Sequence, residues 1–215
     1  DHFDLEDKAC FQLVVWNPEA DEIIGGYRFT KWSMASFHEN GQPYVNTEHL
    51  FDFSQKFLDE YFPYCIEMAR AFVQPKYQSA QMGRKALFAL DNLWDGIGGL
   101  VASDPSVKYL AGKVTIYSSS PELSRKAMIY YLDMCFGDRK GLITSKKPEL
   151  CTPEQAEMFK ELFNGANYKE NYQILNNYVK SMGDTIPPLI HSYIGLSPTM
   201  KTFGTTFDPD FGDCY

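Results

Sequence analysis

The order of the strands and helices predicted for the first two thirds of the sequence limits the fold more than any other feature. Two β-rich runs, 9–17 and 23–30, are joined by a polar, turn-forming connection and predict an antiparallel hairpin. A third strand is predicted at Cys65–Val73, and it leads through a loop with several glutamines into an amphipathic helix. A strand at 108–117 and a helix that ends near Phe136 follow. This order predicts an α/β domain.

The rest of the chain has the sequence signatures of helices. Ser120-Pro121 predicts a helix with Ser120 as its N-cap and proline at its first position. Thr152-Pro153-Glu154-Gln155 matches a capping box and predicts a second helix start. A third helix is predicted at 168–182. We therefore expect a single domain over residues 1–215, with an α-helical insertion at about 138–185.

Composition excludes several classes of protein. Of the 215 residues, 44% are hydrophobic and 22% are charged, as in globular proteins and unlike disordered or fibrous ones. The apolar stretch at 185–200 contains two consecutive prolines, so no membrane-spanning helix is predicted. Five dispersed cysteines and four histidines without metal-ligand spacing predict no metal site and no disulfide framework, which favours a reducing cytoplasm.

Charge is distributed unevenly along the chain. The net charge is −8 and the pI is about 5.0, which argues against binding to nucleic acid. Residues 76–147 nevertheless carry eleven Lys and Arg against six Asp and Glu. This basic segment is either a surface that attracts an anionic ligand or an acidic partner, or a set of solvated helix faces and loops.

The loop before the amphipathic helix has residues suited to binding a phosphate. Backbone N–H groups of such a loop, together with the N-terminus of the helix, point towards one spot and favour negative charge there. The alternative is a plain connection between a strand and a helix. The candidate donor-phosphate residues are Gln78, Gln81, Met82, Gly83, Arg84 and Lys85.

Several short motifs together resemble one superfamily of acyltransferases. The loop is similar to the Gln/Arg-x-x-Gly-x-Gly/Ala motif of the GNAT superfamily, with Gln81 in place of the first glycine. The full set resembles the haemolysin-like branch, which includes ornithine-lipid and glycine-lipid N-acyltransferases and is related to acyl-homoserine-lactone synthases. The resemblance implies a GNAT-like, mixed and mostly antiparallel central sheet flanked by helices. The other matching segments are 1–4, 26–28, 67–73, 93–97, 186–196 and 207–211.

The resemblance also carries an expectation about chain length. Family members usually have a longer region before the Asp-x-Phe-Asp motif, and this sequence begins at that motif, Asp1-His2-Phe3-Asp4. We expect either that the numbering starts inside the protein or that part of the site is missing.

The resemblance implies a catalytic cluster on the first three strands. Glu67 matches the glutamate of Glu-x-x-Arg in the homoserine-lactone synthases and is the candidate general base, with Arg70 and Arg28 as the other catalytic residues. Asp1 and Asp4 are expected to bind the amino-acid acceptor and to be carboxylate partners of Arg28. The alternative role for Glu67 is an ion pair with Arg70 or Arg28.

A shared site for Glu67 and Arg70 requires an irregular strand. The two residues have opposite parity, so a regular strand would place them on opposite faces of the sheet. A bulge of one residue near 68–71 would bring them to one side. GNAT folds have a bulge in this strand, where the sheet splays. We therefore predict a central, bulged strand at Cys65–Val73 that splays from the strand at 108–117.

The resemblance implies an N-acyltransferase. The donor is expected to be an acyl-phosphopantetheine on acyl carrier protein or acyl-CoA. Gln81 favours the carrier, which has a single phosphate. The transferred group is expected to be a (3-hydroxy) fatty acyl chain and the acceptor a small amino acid, glycine or ornithine, in aminolipid synthesis.

The expected partners follow from this activity. No tightly bound cofactor is expected. The carrier is expected to dock over Lys76, Arg84 and Lys85, with Arg125 and Lys126, and the protein to be cytoplasmic, with peripheral contact at the inner membrane surface. The alternatives are an acetyl-CoA-dependent N-acetyltransferase and a non-catalytic lipid-binding or scaffold domain of the same fold.

Overall fold

The computed structural model describes residues 10–77, 84–197, 199–212 and 214–215, and for 84–91 it describes the backbone only. In this part of the chain, strands alternate with helices up to residue 145 and helices follow. The strands are β1 (Phe11–Asn17), β2 (Glu22–Lys31), β3 (Phe51–Phe53), β4 (Cys65–Val73), β5 (Tyr109–Gly112) and β6 (Ile143–Ser145). The helices are α1 (Gln55–Glu60), α2 (Arg84–Ser103), α3 (Glu122–Phe136), α4 (Pro153–Leu162), α5 (Tyr168–Ser181) and α6 (Pro188–Leu196).

The chain forms two compact units. Unit 1 contains β1, β2, β4, β5 and α2, and it comprises the described residues up to Phe37 and from Leu58 to Lys113. Unit 2 contains β3, β6 and α3 to α6, and it comprises residues 38–57 and the described residues after Lys113. The expectation of a single domain over 1–215 stays a prediction.

Unit 1 is built on a four-stranded sheet in the order β1-β2-β4-β5. The β1–β2 and β2–β4 pairs are antiparallel, and β4–β5 is parallel. The predicted mixed, mostly antiparallel sheet with flanking helices is confirmed. A parallel pair requires a crossover connection, and the chain between β4 and β5 contains α2.

Alternation along the strands defines two faces of this sheet. Tyr27, Phe29 and Met68 are buried in a core with Leu93 and Ile97 of α2. We call the side that these residues occupy the α2 face. Since neighbouring residues of a strand point to opposite sides, the residues between them belong to the other side, which we call the far face. From the strand register, the far face carries Gln12, Val14, Gly26, Arg28, Thr30, Glu67, Ala69 and Phe72.

Strand β4 lies between β2 and β5 and contains the predicted bulge. Arg28 pairs with Ala69 and Gly26 pairs with Phe72, so two steps along β2 correspond to three along β4. The extra residue lies at Arg70 and Ala71, and Arg70 has a left-handed backbone with φ of 49°. The bulge is therefore confirmed.

Strand β5 is shorter than the predicted strand at 108–117. Its pairing with β4 runs from Cys65 opposite Tyr109 to Met68 opposite Gly112, and stops just before the bulge. Further along, in unit 2, the backbone of Ile116 exchanges hydrogen bonds with Tyr215. The residues after Gly112 therefore pair with the end of the chain instead of continuing β5.

Unit 2 is mainly helical around an aromatic core. Phe159 of α4, Leu175 and Val179 of α5, and Met128 and Tyr131 of α3 are fully buried there. Short strands β3 and β6 pair antiparallel beside these helices. Each has three residues, too few for their alternation to be visible in the sequence.

In unit 2, the start of one helix agrees with the sequence prediction and the start of another differs from it. The capping box of α4 is confirmed, because Thr152 Oγ1 accepts from the Gln155 N–H at 3.2 Å and Gln155 Oε1 accepts from the Thr152 N–H at 3.0 Å. The N-cap of α3 is Pro121 and not the predicted Ser120, and no side chain caps the helix. The structure also adds α6, which the sequence did not predict; it begins at Pro188, a residue well suited to a first helical position.

None of the helices in the described ranges is long and apolar enough to span a membrane.

Candidate active site

Among the described residues of unit 1, the most deeply buried carboxylate belongs to Glu67 in the middle of the sheet. Its residue is 3% exposed, and it lies on β4 opposite Thr30 of β2. Glu67 Oε2 accepts a hydrogen bond of 3.0 Å from the indole N–H of Trp32. The Trp32 N–H therefore fixes the position of one carboxylate oxygen of Glu67.

Trp32 is itself fixed by its surroundings. It begins a 3₁₀ turn directly after β2, is 2% exposed, and stacks on Phe62 with ring centroids 5.0 Å apart and an interplanar angle of 17°. Phe62 begins another 3₁₀ turn immediately before β4. The indole therefore connects the end of one strand to the start of its neighbour, with its N–H directed at Glu67.

Arg28 lies on the same face of the sheet as Glu67. It is 4% exposed and pairs with Ala69, two residues along β4 from Glu67. Such diagonal neighbours have Cα atoms about 7–8 Å apart, which is within reach of a long side chain. The sequence prediction that Arg28 and Glu67 share one buried region is consistent with this register.

Arg70 lies in the bulge but differs from the other two candidates in exposure. Its side chain is exposed, whereas those of Glu67 and Arg28 are buried. The bulge removes the parity conflict between residues 67 and 70. A common site for the two residues stays a prediction.

The remaining predicted site residues fall largely outside the described part of the chain. Asp1, Asp4, Gln78, Gln81, Met82 and Gly83 lie outside the described residues. Arg84 and Lys85 form the first turn of α2, and their side chains are outside the description. Helix α2 therefore begins directly after the predicted phosphate loop, and the phosphate site stays a prediction.

Two of the basic residues predicted to meet an acidic partner are not available for it. Arg125 and Lys126 are 8% and 7% exposed, and Lys126 Nζ lies 2.9 Å from Glu149. Arg125 lies 3.6 Å from the same carboxylate and stacks over the ring of Tyr215. Their prediction as docking residues is wrong, because sequence alone does not show that Glu149 binds both cations.

Lys76 is exposed and forms an ion pair. Its ammonium group bonds to Glu22, which also accepts a hydrogen bond from the Tyr77 hydroxyl. These two hydrogen bonds lower the pKa of Glu22. Lys76 therefore precedes the loop that begins at residue 78, and its positive charge is paired with the Glu22 carboxylate.

The arrangement combines a buried carboxylate with a buried guanidinium group. Glu67 is held by an indole, and Arg28 has the planar donor fork that can bind a carboxylate group in a bidentate manner. No group of three or more His, Cys, Asp and Glu in the described ranges is arranged to hold a metal ion. The sequence analysis missed Trp32 as a neighbour of Glu67; the sequence signal for it is its parity with Arg28 and Thr30.

Comparisons with known proteins show that the first part of the chain is similar to a known domain. Residues 1–87, which include β1, β2 and β4, match the family model of the acetyltransferase (GNAT) domain. This match and the sheet topology agree with the predicted GNAT-like fold. The haemolysin-like, ornithine-lipid branch within that class stays a prediction.

Two individual proteins are similar to almost the whole chain. The chain is 47% identical to a glycine N(alpha)-acyltransferase of Phocaeicola vulgatus and 45% identical to one of Bacteroides thetaiotaomicron, each over 213 residues and 99% of this chain. The alignments cover 65% and 63% of those two proteins, so the chain spans a little under two thirds of their length. No solved structure matches the chain.

Proposed function

We propose that this protein is an N-acyltransferase that moves a fatty acyl group from a phosphopantetheine thioester to the α-amine of glycine or another small amino acid. The observation that carries the proposal is the buried Glu67 carboxylate, held by Trp32 on a bulged strand and flanked by Arg28. The match to the GNAT domain and the names of the two relatives support the same reaction.

The reaction requires a neutral amine and a correctly placed thioester. The amine nitrogen attacks the thioester carbonyl carbon, the C–S bond breaks, and the thiol leaves as the amide forms. Glu67 takes one proton from the ammonium group, directly or through a water, and so generates the neutral amine that attacks. As the tetrahedral adduct collapses, its nitrogen loses a second proton, which passes to the departing thiolate, and Glu67 releases the first proton to solvent. A general base contributes on the order of 10²–10⁴-fold, and positioning contributes roughly 7–11 kcal/mol of the barrier.

Arg28 orients the acceptor in this proposal. A small amino acid has a carboxylate next to its α-amine, and a guanidinium group can hold that carboxylate through two parallel hydrogen bonds. Because Arg28 is diagonal to Glu67 across the β2–β4 pair, an acceptor bound to Arg28 would present its amine towards Glu67. Asp1 and Asp4 complete the acceptor site in this proposal, and Arg70 at the bulge faces the incoming thioester.

The donor is proposed to be acyl carrier protein, with a 3-hydroxylated acyl chain, and the product to be an aminolipid precursor. The loop before α2, with Gln78, Gln81, Met82 and Gly83, and the first residues of α2, Arg84 and Lys85, would receive the single phosphate of the carrier's prosthetic arm at the helix N-terminus. Acyl-CoA is the alternative donor. Membrane contact at the inner surface belongs to the same proposal, because the product is a lipid.

The test measures thioester consumption with matched donors and acceptors. The purified chain is incubated with acyl carrier protein or CoA thioesters of the same acyl group, across glycine, ornithine and other amino acids. We expect consumption that requires glycine or ornithine and is faster with the carrier. Activity restricted to acetyl-CoA would indicate an ordinary N-acetyltransferase. Absence of consumption with every donor and acceptor would contradict the proposal and favour a non-catalytic domain.

Glu67→Gln separates a catalytic role from a structural one. If Glu67 is the base, turnover should fall by on the order of 10²–10⁴-fold while the unfolding midpoint in urea changes little. If Glu67 mainly balances a buried guanidinium group, the same change should cost on the order of 3–5 kcal/mol of stability. Glu161→Gln, at an exposed position of α4, is the matched control and should change neither quantity.

A further inference from the structure

Unit 2 has a surface cleft between helices α5 and α6 that the proposed reaction does not use. Its volume is about 260 Å³. Pockets for drug-sized ligands are roughly 300–1,000 Å³, so this cleft suits a smaller molecule. The match to the GNAT domain ends at residue 87, well before the cleft. The lining includes Tyr168, Lys169, Tyr172 and Gln173 of α5, with His191 and Ile194 of α6.

Most of the lining is apolar and is held in place by the core of unit 2. Tyr168 and Tyr172 are four residues apart, so their side chains lie on the same side of α5. The Tyr168 ring packs on Phe136, and the Tyr172 ring packs on Tyr131, with ring centroids 5.5 Å and 6.0 Å apart. Ile194 is a buried member of the same core. The cleft therefore has a fixed apolar surface on which a hydrocarbon can lie.

Three polar side chains add hydrogen-bonding groups to this surface. Lys169 is exposed and forms no ion pair within the described part of the chain, and its ammonium group lies 5.9 Å from the centre of the Tyr168 ring. His191 Nδ1 lies 3.2 Å from the Tyr172 hydroxyl, which fixes the imidazole ring. Gln173 carries its carboxamide one turn after Lys169. The described lining contains no acidic side chain, so it favours a negatively charged head group.

The head group that fits is a carboxylate and not a phosphate. A phosphate at the start of a helix binds to the free N–H groups of the first turn. In α5 the N–H groups of Lys169 and Glu170 are already bonded to the Asn167 side chain, at 2.9 Å and 3.1 Å. The Glu170 carboxylate lies at the same helix start, where it accepts a hydrogen bond from the Ala166 N–H, and it disfavours a doubly charged ligand. Within the described lining the Lys169 ammonium group can balance a single negative charge.

We infer that the cleft binds a small amphipathic carboxylate, with the carboxylate at Lys169 and the hydrocarbon on the two tyrosine rings and Ile194. A free fatty acid of medium chain length has this chemistry. An N-acyl amino acid, the product of the proposed reaction, has it as well, and its amide group can pair with the Gln173 carboxamide. Only this second source of the ligand rests on the proposed function.

The test titrates the purified chain with four probes and follows the backbone amide signals by NMR. The probes are acetate, octanoate, octanamide and N-octanoylglycine, each kept below its micelle-forming concentration. We expect octanoate and N-octanoylglycine to shift the signals of residues 168–173 and 191–195. Octanamide should bind about two- to five-fold more weakly than octanoate, because it lacks the charge. Acetate should bind most weakly, since each buried methylene group tightens binding by up to about four-fold.

The order of the two carboxylates identifies the source of the ligand. Tighter binding of N-octanoylglycine than of octanoate would indicate that the cleft responds to the reaction product. Tighter binding of octanoate would indicate a free fatty acid. Both orders support an amphipathic carboxylate site.

Lys169→Met separates the charge from the apolar lining. The change keeps most of the hydrocarbon stem and removes the ammonium group. Octanoate binding should weaken about two- to five-fold, and octanamide binding should stay unchanged. Lys180→Met, at an exposed lysine in the last turn of the same helix, is the matched control and should change neither value.

Two results would overturn the inference. One is an octanoate titration that leaves the signals of residues 168–173 and 191–195 in place. The other is an equal loss of octanoate binding in Lys169→Met and Lys180→Met, which would indicate a general effect of charge. Failure of the proposed function would appear separately, as absence of thioester consumption while octanoate still binds in the cleft.

Discussion

Trp32 is the residue that connects Glu67 to the turns beside two neighbouring strands. Its N–H donates a hydrogen bond of 3.0 Å to the buried carboxylate. Its ring, in the turn after β2, stacks on Phe62 in the turn before β4. A phenyl ring at this position would keep most of the stacking and remove only the donor. The two contributions can therefore be separated by one substitution.

We expect Trp32→Phe to move the acidic limb of the pH–rate profile to higher pH. Without the N–H donor the carboxylate form of Glu67 is less stable relative to the acid, so a higher pH is needed to generate the base. The rate at neutral pH should fall and should recover partly as the pH rises. The profile of kcat/KM over pH 5–9 measures this, and Trp94→Phe, at a tryptophan beside Tyr27 in the α2 core, is the control. An unchanged profile with a uniformly lower rate would assign Trp32 a packing role only.

Arg70 has a backbone conformation that few side chains adopt. Its φ of 49° lies in the left-handed region, which costs a residue with a Cβ roughly 1–2 kcal/mol. Strain of this kind is often kept at functional sites. Since Arg70 is exposed, its side chain has no burial that would compensate the strain.

Arg70→Gly should therefore stabilise the protein while impairing the reaction. We expect a gain of up to about 1 kcal/mol, because glycine enters the left-handed region without a steric penalty but loses more chain entropy on folding. Urea unfolding measures the stability, and glycine-dependent thioester consumption measures the activity. Arg70→Ala keeps the strain and provides the comparison. Full activity in the glycine variant would remove Arg70 from the site.

At the scale of elements, one ion pair ties α2 to the sheet. Asp104, just after the end of α2, accepts a hydrogen bond from Lys31 at the end of β2. This bond, together with hydrogen bonds from Ser106, lowers the pKa of Asp104 from 3.8 to about 2. A carboxyl group whose pKa is lowered by folding stabilises the fold above its ordinary pKa, and this contribution disappears as the pH falls towards the lowered value.

Lys31→Met should remove much of this effect. The pKa of Asp104, followed by NMR titration, should rise from about 2 towards its ordinary value. The difference in stability between the unchanged protein and the variant should be present above about pH 4, should fall steadily below it and should vanish only below about pH 2. A difference that persists unchanged at pH 2 would show that Lys31 acts through packing of its hydrocarbon stem instead.

The elements that the sequence predicted well are those with strong local signals. The β1–β2 hairpin, β4 and the capped start of α4 each depend on residues that are close together in the sequence, such as the Thr152 box. The bulge in β4 was predictable because the resemblance implies one site for residues 67 and 70, whose parity conflicts in a regular strand. Strand β5 was predicted too long because its end depends on Ile116 pairing with Tyr215, a contact between residues almost one hundred positions apart.

In the candidate site, too, contacts between residues distant in the sequence could not be predicted. Glu67 and Arg28 could be assigned to one face from strand parity, given a pairing of neighbouring strands. Trp32 could not be assigned, because its contact with Glu67 depends on a 3₁₀ turn and on stacking against Phe62. Arg125 and Lys126 were wrongly assigned to the surface. Charged residues in a sequence are expected to be exposed unless a partner such as Glu149 is known.

At the scale of the whole molecule, each unit contains a buried thiol that can report on its folding. Cys65 in unit 1 is 4% exposed and Cys214 in unit 2 is 3% exposed. Burial raises the pKa of Cys65 to about 12. Because the thiolate is the reactive form, only about 10⁻⁴ of this group is reactive at pH 8, even before limited access is considered.

We expect Cys65 and Cys214 to resist a thiol reagent in the native protein and to react only on unfolding. The other three cysteines, which are partly exposed, should react first. Labelling at increasing urea concentration, followed by peptide mass spectrometry, gives the opening of each unit separately. Coincident midpoints would indicate one cooperative unfolding transition, and separate midpoints would indicate two. Rapid labelling of Cys65 without denaturant would contradict the burial of β4.

The close approach at Gly26 has a consequence for how sequences of this kind can diverge. A Cβ at residue 26 would lie 2.8 Å from the carbonyl oxygen of Leu13 and 3.1 Å from the ring of Phe72, which real Cβ atoms rarely tolerate. Replacing Phe72 by a smaller residue would remove only the second of these clashes. Residue 26 is thus constrained by the backbone of β1, and residue 72 in turn by residue 26. In a collection of related sequences, position 26 should therefore stay glycine even where position 72 carries a smaller residue.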